Sequence, residues 1–174
     1  MFCLTSLELE TMMRFIIPRE TVLITSRGTL IQFGKDFLKD NVAPTDWHMP
    51  ISPSHFAISV PKNSFTAQVI TQSGVFVVNF VGVGFADTVR LLGKVSGHTV
   101  DKFAIYSIAK EEADGVDCCR LKDAVAYISC HVTEQHAFEE YVLFIGNVVA
   151  SRELISSAKR LFHVGGGEFT TTKE

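Results

Sequence analysis

The sequence predicts a mainly β protein, a barrel of short strands carrying a few short helices. Three observations predict this. Apolar runs such as Val75–Val78 and Tyr141–Ile145 have the length of strands. Glycine, proline and asparagine punctuate the chain at short intervals. No GxGxxG follows a strand and no GxxxxGK[ST] is present, so neither a dinucleotide-binding βαβ unit nor a P-loop is expected. The 174 residues, 47% of them apolar, suit one compact domain with a sizeable core.

The elements follow in order. Thr21–Thr25 is β-branched, lies between Pro18 and Arg27-Gly28, and reads as a strand closed by a turn. A second strand is expected over Thr29–Phe33. Lys39–Pro50 gathers Asn, Pro, Asp, Trp and Pro and reads as a loop. Phe56–Val60 is a strand ended by Pro61, and Thr66–Ser73 is a short helix stopped by Gly74. Val75–Phe80 is an apolar strand. Phe85–Lys94 reads as a second helix with Leu91 and Leu92 inward, and a third short segment starts near Thr99–Phe103. Ala124–Val132 and Tyr141–Ala150 are strands, with Thr133–Glu140 as the hairpin loop between them. Gly146 marks a bulge or a close backbone approach. Gly165-Gly166-Gly167 is a turn near the end.

Composition excludes several function classes. The net charge of −3 lacks the basic excess of a nucleic-acid binder, and no apolar run approaches a membrane span of roughly 20 residues. The first residues alternate apolar side chains with Glu8 and Glu10, unlike a signal peptide. Residues 1–12 read as an extension ahead of the domain. Cys3, Cys118, Cys119 and Cys130 form no CxxC pair, which fits a reducing, cytoplasmic setting, and Cys130 reads as a buried inert thiol. The six histidines show no zinc spacing, so no metal is expected. No GxSxG elbow points to a hydrolase.

Three segments offer binding chemistry. Pro61–Thr66 holds Lys62, Asn63, Ser64 and Thr66 at the start of a helix, where an ammonium, hydroxyls and free N–H groups suit a phosphate; the same residues also serve as a helix cap. Asn41–Trp47, with Ala43, Pro44, Thr45 and Asp46, puts hydrogen-bonding groups beside a flat apolar wall; it also reads as a turn with a core tryptophan. Gly93–Gly97, then Asp101-Lys102-Phe103, gives small residues where backbone can approach a ligand, followed by a charged pair that reads equally as a solvated ion pair.

Read together, these segments resemble the flavin reductase-like, or flavoredoxin-like, family of the FMN-binding split barrel, over Pro18 to Phe169. NVAPTDW is similar to the family's N-x-x-x-x-x-W loop, and ISPSHFAISV to its hxSxxPPxhxhSh strand, h being apolar. FTAQVITQSGVFVVNF resembles xTxxxIxxxGxFxVN through Thr66, Ile70, Gly74, Phe76, Val78 and Asn79. GKVSGHTVDKF resembles GxxSGxxxDKF through Gly93, Ser96, Gly97, Asp101, Lys102 and Phe103, and LFIGNVVA resembles hFhGxV.

The resemblance implies a homodimeric split barrel with non-covalent FMN near the subunit interface. Asn41–Trp47 would border the isoalloxazine ring. Ser59, Lys62, Asn63, Ser64 and Thr66 would surround the ribityl phosphate, and Ser96, Asp101 and Lys102 would approach from the third segment. The activity implied is electron transfer through FMN, either as a carrier serving a redox partner protein or as an NAD(P)H:flavin oxidoreductase; a non-catalytic heme- or flavin-binding barrel is the alternative. The chain departs from the pattern in three places. Ser64 replaces an Arg frequent in the phosphate loop, and Ser54-His55 replaces the double proline. Glu140-Tyr141 stands where reductases often carry a histidine associated with nicotinamide, which favours the carrier.

Overall fold

A computed structural model describes residues 15–32 and 35–172. Seven antiparallel strands form the main sheet in the order β3-β2-β6-β9-β10-β5-β4. They are β2 (Val22–Gln32), β3 (Lys35–Thr45), β4 (His48–Ser52), β5 (His55–Pro61), β6 (Val75–Phe80), β9 (Ala126–Phe138) and β10 (Tyr141–Glu153). The sheet curls so that its outer strand β3 reaches β5, where the Thr45 hydroxyl donates to the Ser59 carbonyl at 3.2 Å. A small sheet β1-β11-β12 (Arg19–Glu20, Leu161–Gly165, Glu168–Thr171) and the hairpin β7–β8 (Lys110–Glu112, Cys119–Leu121) flank it. The helices are α1 (Phe65–Ser73), α2 (Ala86–Leu92), preceded by a 3-10 turn at Val83–Phe85, and α3 (Lys102–Ile105). The mainly β expectation holds. Among the described residues no helix is long and apolar enough to cross a membrane.

Alternation along the strands builds two cores. Val22 and Ile24 face the barrel interior with Phe56, Ile58, Phe76, Val78 and Phe144, while Leu23 between them faces a second cluster with Val42, Leu92, Phe103 and Leu161. This explains the unbroken apolar run VLI: both faces of the strand are covered. Ala67 and Ile70 of α1 plug the interior core. Gly146 lies at a register shift in the β9–β10 ladder, and an added Cβ would stand 2.8 Å from the Cys130 Cβ and 2.9 Å from the Phe76 ring. The close-approach reading of Gly146 therefore holds. Cys130 is fully buried, and burial pushes its thiol pKa up to about 12.

Four expectations need correction. Arg27-Gly28 is no turn, because β2 runs unbroken through it. Arg27 is held in the strand by carboxylates of Asp40, Glu112 and Asp117. Gly28 is small because α1 crosses there: a Cβ would stand 2.7 Å from Gln72 Oε1 and 2.9 Å from a Val69 methyl. Lys39–Pro50 is not a loop but the end of β3 and most of β4; both are outer strands of the sheet, where a missing N–H is tolerated. Thr133–Phe138 extends β9, leaving only Glu139-Glu140 as the hairpin turn, with Glu139 at φ 45°. Its polar composition follows from exposure at the free end of the hairpin. Leu91 is 44% exposed, and only Leu92 of that pair turns inward. The expectation for residues 1–12 and the last residue expected in the second strand, Phe33, lie outside the described residues.

Beneath β2, burial raises the Asp40 pKa, but hydrogen bonds from Arg27 and Lys110 outweigh it and hold the carboxyl below its ordinary range. That network ties β2 and β3 to the β7–β8 hairpin.

Candidate functional site

Ser64 precedes α1 in extended conformation, and its hydroxyl accepts from the Ala67 N–H at 3.1 Å. The capping role is thus real. The Phe65 and Thr66 N–H groups, in the first helical turn, have no intrahelical acceptor, and the positive end of the helix dipole points out of this turn. Thr66 Oγ1 accepts from Asn41 Nδ2 at 2.9 Å, which leaves its own hydrogen available. The end of β3 forms the facing wall. There Thr45 Oγ1 donates to the Ser59 carbonyl at 3.2 Å and accepts from the Trp47 N–H at 3.1 Å. Trp47 is 41% exposed rather than packed in the core, with the Arg19 guanidinium 4.7 Å above its ring.

The segment after α2 closes the third side. Gly97 is buried against Asn41 and Phe65 so closely that a Cβ would stand 2.0 Å from Asn41 Oδ1 and 2.9 Å from the Phe65 ring. Lys102 follows on α3. It makes no ion pair with Asp101. Asp101 caps α3 through the Phe103 and Ala104 N–H groups, whereas the Lys102 side chain turns inward, 5% exposed, and donates to the Leu92 carbonyl at 3.1 Å.

These walls enclose a cavity of about 630 Å³, within the range of small-molecule and cofactor sites. Asn41, Ala43, Pro44, Thr45, Asp46 and Trp47 line it from β3 and the turn after it. Ser59, Asn63, Ser64 and Thr66 line it from β5 and the start of α1, and Ser96 and Lys102 from the third segment. Two of the residues singled out by sequence stand apart from this lining. Lys62 is exposed just outside, and Asp101 is occupied as the α3 cap. The lining also contains Tyr141, marked in the sequence only by its departure from the family pattern, and residues not expected there: Thr21, Lys94, His163 and Phe169. Lys94 carried a signal, since it lies inside the GKVSG segment. His163 and Phe169 carried none, because they reach the cavity from the far end of the chain. No group of three or more His, Cys, Asp or Glu among the described residues is placed to hold a metal ion.

Burial lowers the Lys102 pKa from its ordinary 10.5 to about 8. The unfolded chain therefore binds more protons than the folded one between these values, so the protein without ligand is expected to gain stability as pH rises from 8 towards 10.5. An anion held by this ammonium would be released over the same window. Opposite slopes of melting temperature and of anionic-ligand affinity across that window check both signs. A flat melting temperature would mean that Lys102 is not strained by burial.

The donor set fits a phosphorylated planar heterocycle. Hydroxyl-bearing side chains, a helix start and two lysines, Lys94 and Lys102, line the same cavity as Trp47, Tyr141 and Phe169. Comparison with known proteins agrees in kind. The model of the Flavin reductase like domain matches residues 12–170. An uncharacterized protein of Escherichia coli, YddH, is 28% identical over 95% of this chain and 93% of its own length. An FMN-binding protein from Thermus thermophilus, solved with bound p-hydroxybenzaldehyde, is 25% identical with a TM-score of 0.76, covering 91% of this chain and 88% of the other. The NADH:FAD oxidoreductase SgcE6 of Streptomyces globisporus has a TM-score of 0.81 at 16% identity, covering 100% of this chain and 99% of the other, a likeness of fold.

Proposed function

We propose that this chain, which belongs to the Flavin reductase like domain family, binds FMN without a covalent bond in the cavity and works as a cytoplasmic, homodimeric electron-transfer flavoprotein. The observation that carries the reading is the meeting, in one cavity, of the α1 start, the inward ammonium of Lys102 and the flat wall at Trp47. In this reading Asn41–Trp47 border the flavin ring. Ser59, Asn63, Ser64 and Thr66 hold the phosphate, and Ser96 and Lys102 close the third side. FMN supplies hydride and single-electron transfer; the protein binds it, orients it and sets the charge around it.

Tyr141 lines the cavity in the place where the family's reductases often carry a histidine, which favours a carrier with a redox partner over an NAD(P)H:flavin oxidoreductase. Steady-state NAD(P)H oxidation with excess FMN separates the two. Homodimerisation is supported by apolar side chains left exposed on the outer strand β4 and at the β9–β10 hairpin: Met49, Ile51, Phe138 and Tyr141.

With Ser64 in place of arginine, the phosphate needs a cation from elsewhere. Lys94 lines the cavity and Lys62 does not. Lys94→Ala is expected to weaken FMN binding by about 1.5–3 kcal/mol, the worth of a hydrogen bond to a charged group. Lys62→Ala is expected to cost below about 1 kcal/mol, as for an exposed charge pair. Riboflavin, which lacks the phosphate, should respond little to either. Calorimetric titration of both ligands checks this; equal losses for FMN and riboflavin would remove Lys94 from the phosphate. Titration with FAD alongside shows which flavin the cavity prefers.

A further inference from the structure

The last hairpin of the chain, β11 and β12, brings His163 and Phe169 into the cavity wall. Its two strands are held unequally. β11 pairs with β1, the Thr21 N–H donates to the Leu161 carbonyl at 2.9 Å, and the Leu161 N–H donates to the Val81 carbonyl at 3.0 Å. His163 adds a side-chain tie, with its Nδ1 2.7 Å from Asp46 Oδ2. β12, by contrast, is four residues long and is the outer strand of its sheet, with β11 as its neighbour on one side. The turn into it is Gly165-Gly166-Gly167, with φ of 99°, 60° and 78°. An added Cβ at Gly166 or Gly167 would meet nothing within 4 Å, so the turn is neither stiffened by side chains nor packed against a neighbour.

Arg90 gives this loose strand a second hold. It stands on α2, whose Val89 and Leu92 line the cavity while Arg90 itself does not. Its Nε donates to the Gly167 carbonyl at 2.8 Å, and its guanidinium carbon lies 5.2 Å from the centroid of the Phe169 ring. It also pairs with Asp87 at 2.7 Å and with Glu168 at 3.7 Å. Those two carboxylates are 91% and 75% exposed, so solvent screens both pairs. The hold therefore comes from the carbonyl bond and the ring contact. A planar guanidinium can donate from its edge and attract a ring in the same pose, which an ammonium does poorly.

We propose that Arg90 is a positioning residue of the flavin site: from outside the cavity it pins β12, keeps Phe169 in the cavity wall, and so makes the β11–β12 hairpin a clasp that slows release of the bound flavin. Arg90 touches no ligand in this account and acts through Phe169. The inference rests on the flavin reading for the identity of the ligand; the pinning of β12 belongs to Arg90 itself. The plainer role of Arg90 is a surface cation in the last turn of α2, paired with Asp87 and favourable to the helix dipole. That role predicts no effect on ligand release, and the test tells the two apart.

The experiment compares the full-length protein with Arg90→Ala, Phe169→Ala, the double variant and Asp87→Ala. FMN binding and release rates are read by stopped-flow flavin fluorescence, and amide exchange is read on the ligand-free proteins. Arg90→Ala is expected to speed FMN release about fivefold or more, as for the loss of a hydrogen bond and a cation–π contact, with the binding rate little changed. Phe169→Ala should do the same, and the double variant should release FMN within about twofold of Phe169→Ala alone, because the first residue works through the second. Asp87→Ala should leave release unchanged. In Arg90→Ala, exchange should rise over Glu168–Thr171 and stay as it was in β6, which reports the barrel core. FMN release at the wild-type rate in Arg90→Ala, effects that multiply in the double variant, or exchange that rises in β6 as well would overturn the proposal and leave the flavin reading standing. A wild-type protein that retains no FMN would sink the flavin reading instead. Exchange then decides the pin by itself: unchanged exchange of Glu168–Thr171 in Arg90→Ala overturns it, and raised exchange there upholds it.

Discussion

Replacing Asn79 with leucine is expected to cost about 3 kcal/mol of stability, as two or more buried groups lose their partners at about 1–3 kcal/mol each. Asn79 is fully buried in β6. Its amide donates to the Leu23 carbonyl at 2.9 Å and to Thr25 Oγ1 at 3.1 Å, and its oxygen accepts from the Leu121 N–H at 2.7 Å. One side chain thus joins β6, β2 and β8. Leucine fills the volume but leaves the Leu121 N–H and the Leu23 carbonyl without these bonds in a dry interior. For a chain of this size the loss corresponds to a fall in melting temperature of about 6–12 °C. A change below about 0.5 kcal/mol in chemical denaturation would mean that water or a backbone shift replaces the asparagine, and its place in the VFVVN segment would then need another reason.

Gly97→Val is the second large effect, and it falls on the site. The valine Cβ cannot occupy a point 2.0 Å from Asn41 Oδ1. Asn41 is itself buried, its oxygen has no hydrogen-bond partner in the described structure, and its Nδ2 is committed to Thr66. Relief therefore requires the Asn41 amide to move, which breaks its bond to Thr66, or the 93–98 segment to lift off Phe65. Either movement reshapes two cavity walls together. Overpacking of this kind costs about 1–3 kcal/mol, and we expect FMN affinity to fall by a similar amount, roughly 5- to 150-fold at 1.4 kcal/mol per tenfold. Gly84→Ala is the matched control, because an added Cβ there meets nothing within 4 Å. Unchanged flavin affinity in Gly97→Val would separate this segment from the binding site.

Much of the barrel was legible because its strands carry strong local signals. VFVVNF and HFAISV are largely buried, and the run from Tyr141 buries alternate residues, so their apolar and β-branched content is dense. Gly74 stops α1 with a left-handed φ of 69°, a conformation open to glycine and costly for most residues. The outer strands were less legible. β3 and β4 need fewer ladder partners, tolerate Pro44 and Pro50, and so read as loop. Arg27-Gly28 read as a turn because its real reasons, an ion-pair network and the crossing of α1, lie far off in sequence.

The site divides in the same way. Segments that supply several lining residues at once, Asn41–Trp47 and Asn63–Thr66, show as local clusters of polar and small side chains. The sequence marks Lys62 for the phosphate and passes over Lys94, and only the path of the backbone brings Lys94 into the lining and leaves Lys62 outside it. Asp101 and Lys102 are adjacent, but a helix starts between them. The first therefore serves as its cap, while the second is carried into the interior. The Asp46–His163 pair closes over 117 residues and no spacing rule could reach it.

The most direct test of the flavin assignment is the absorption spectrum of the purified protein, before and after addition of FMN, recorded as it elutes from a sizing column. The expected result is a flavin band that co-elutes with the protein at the size of a dimer and is restored by FMN after stripping. A colourless protein that retains no added FMN at high concentration would contradict it.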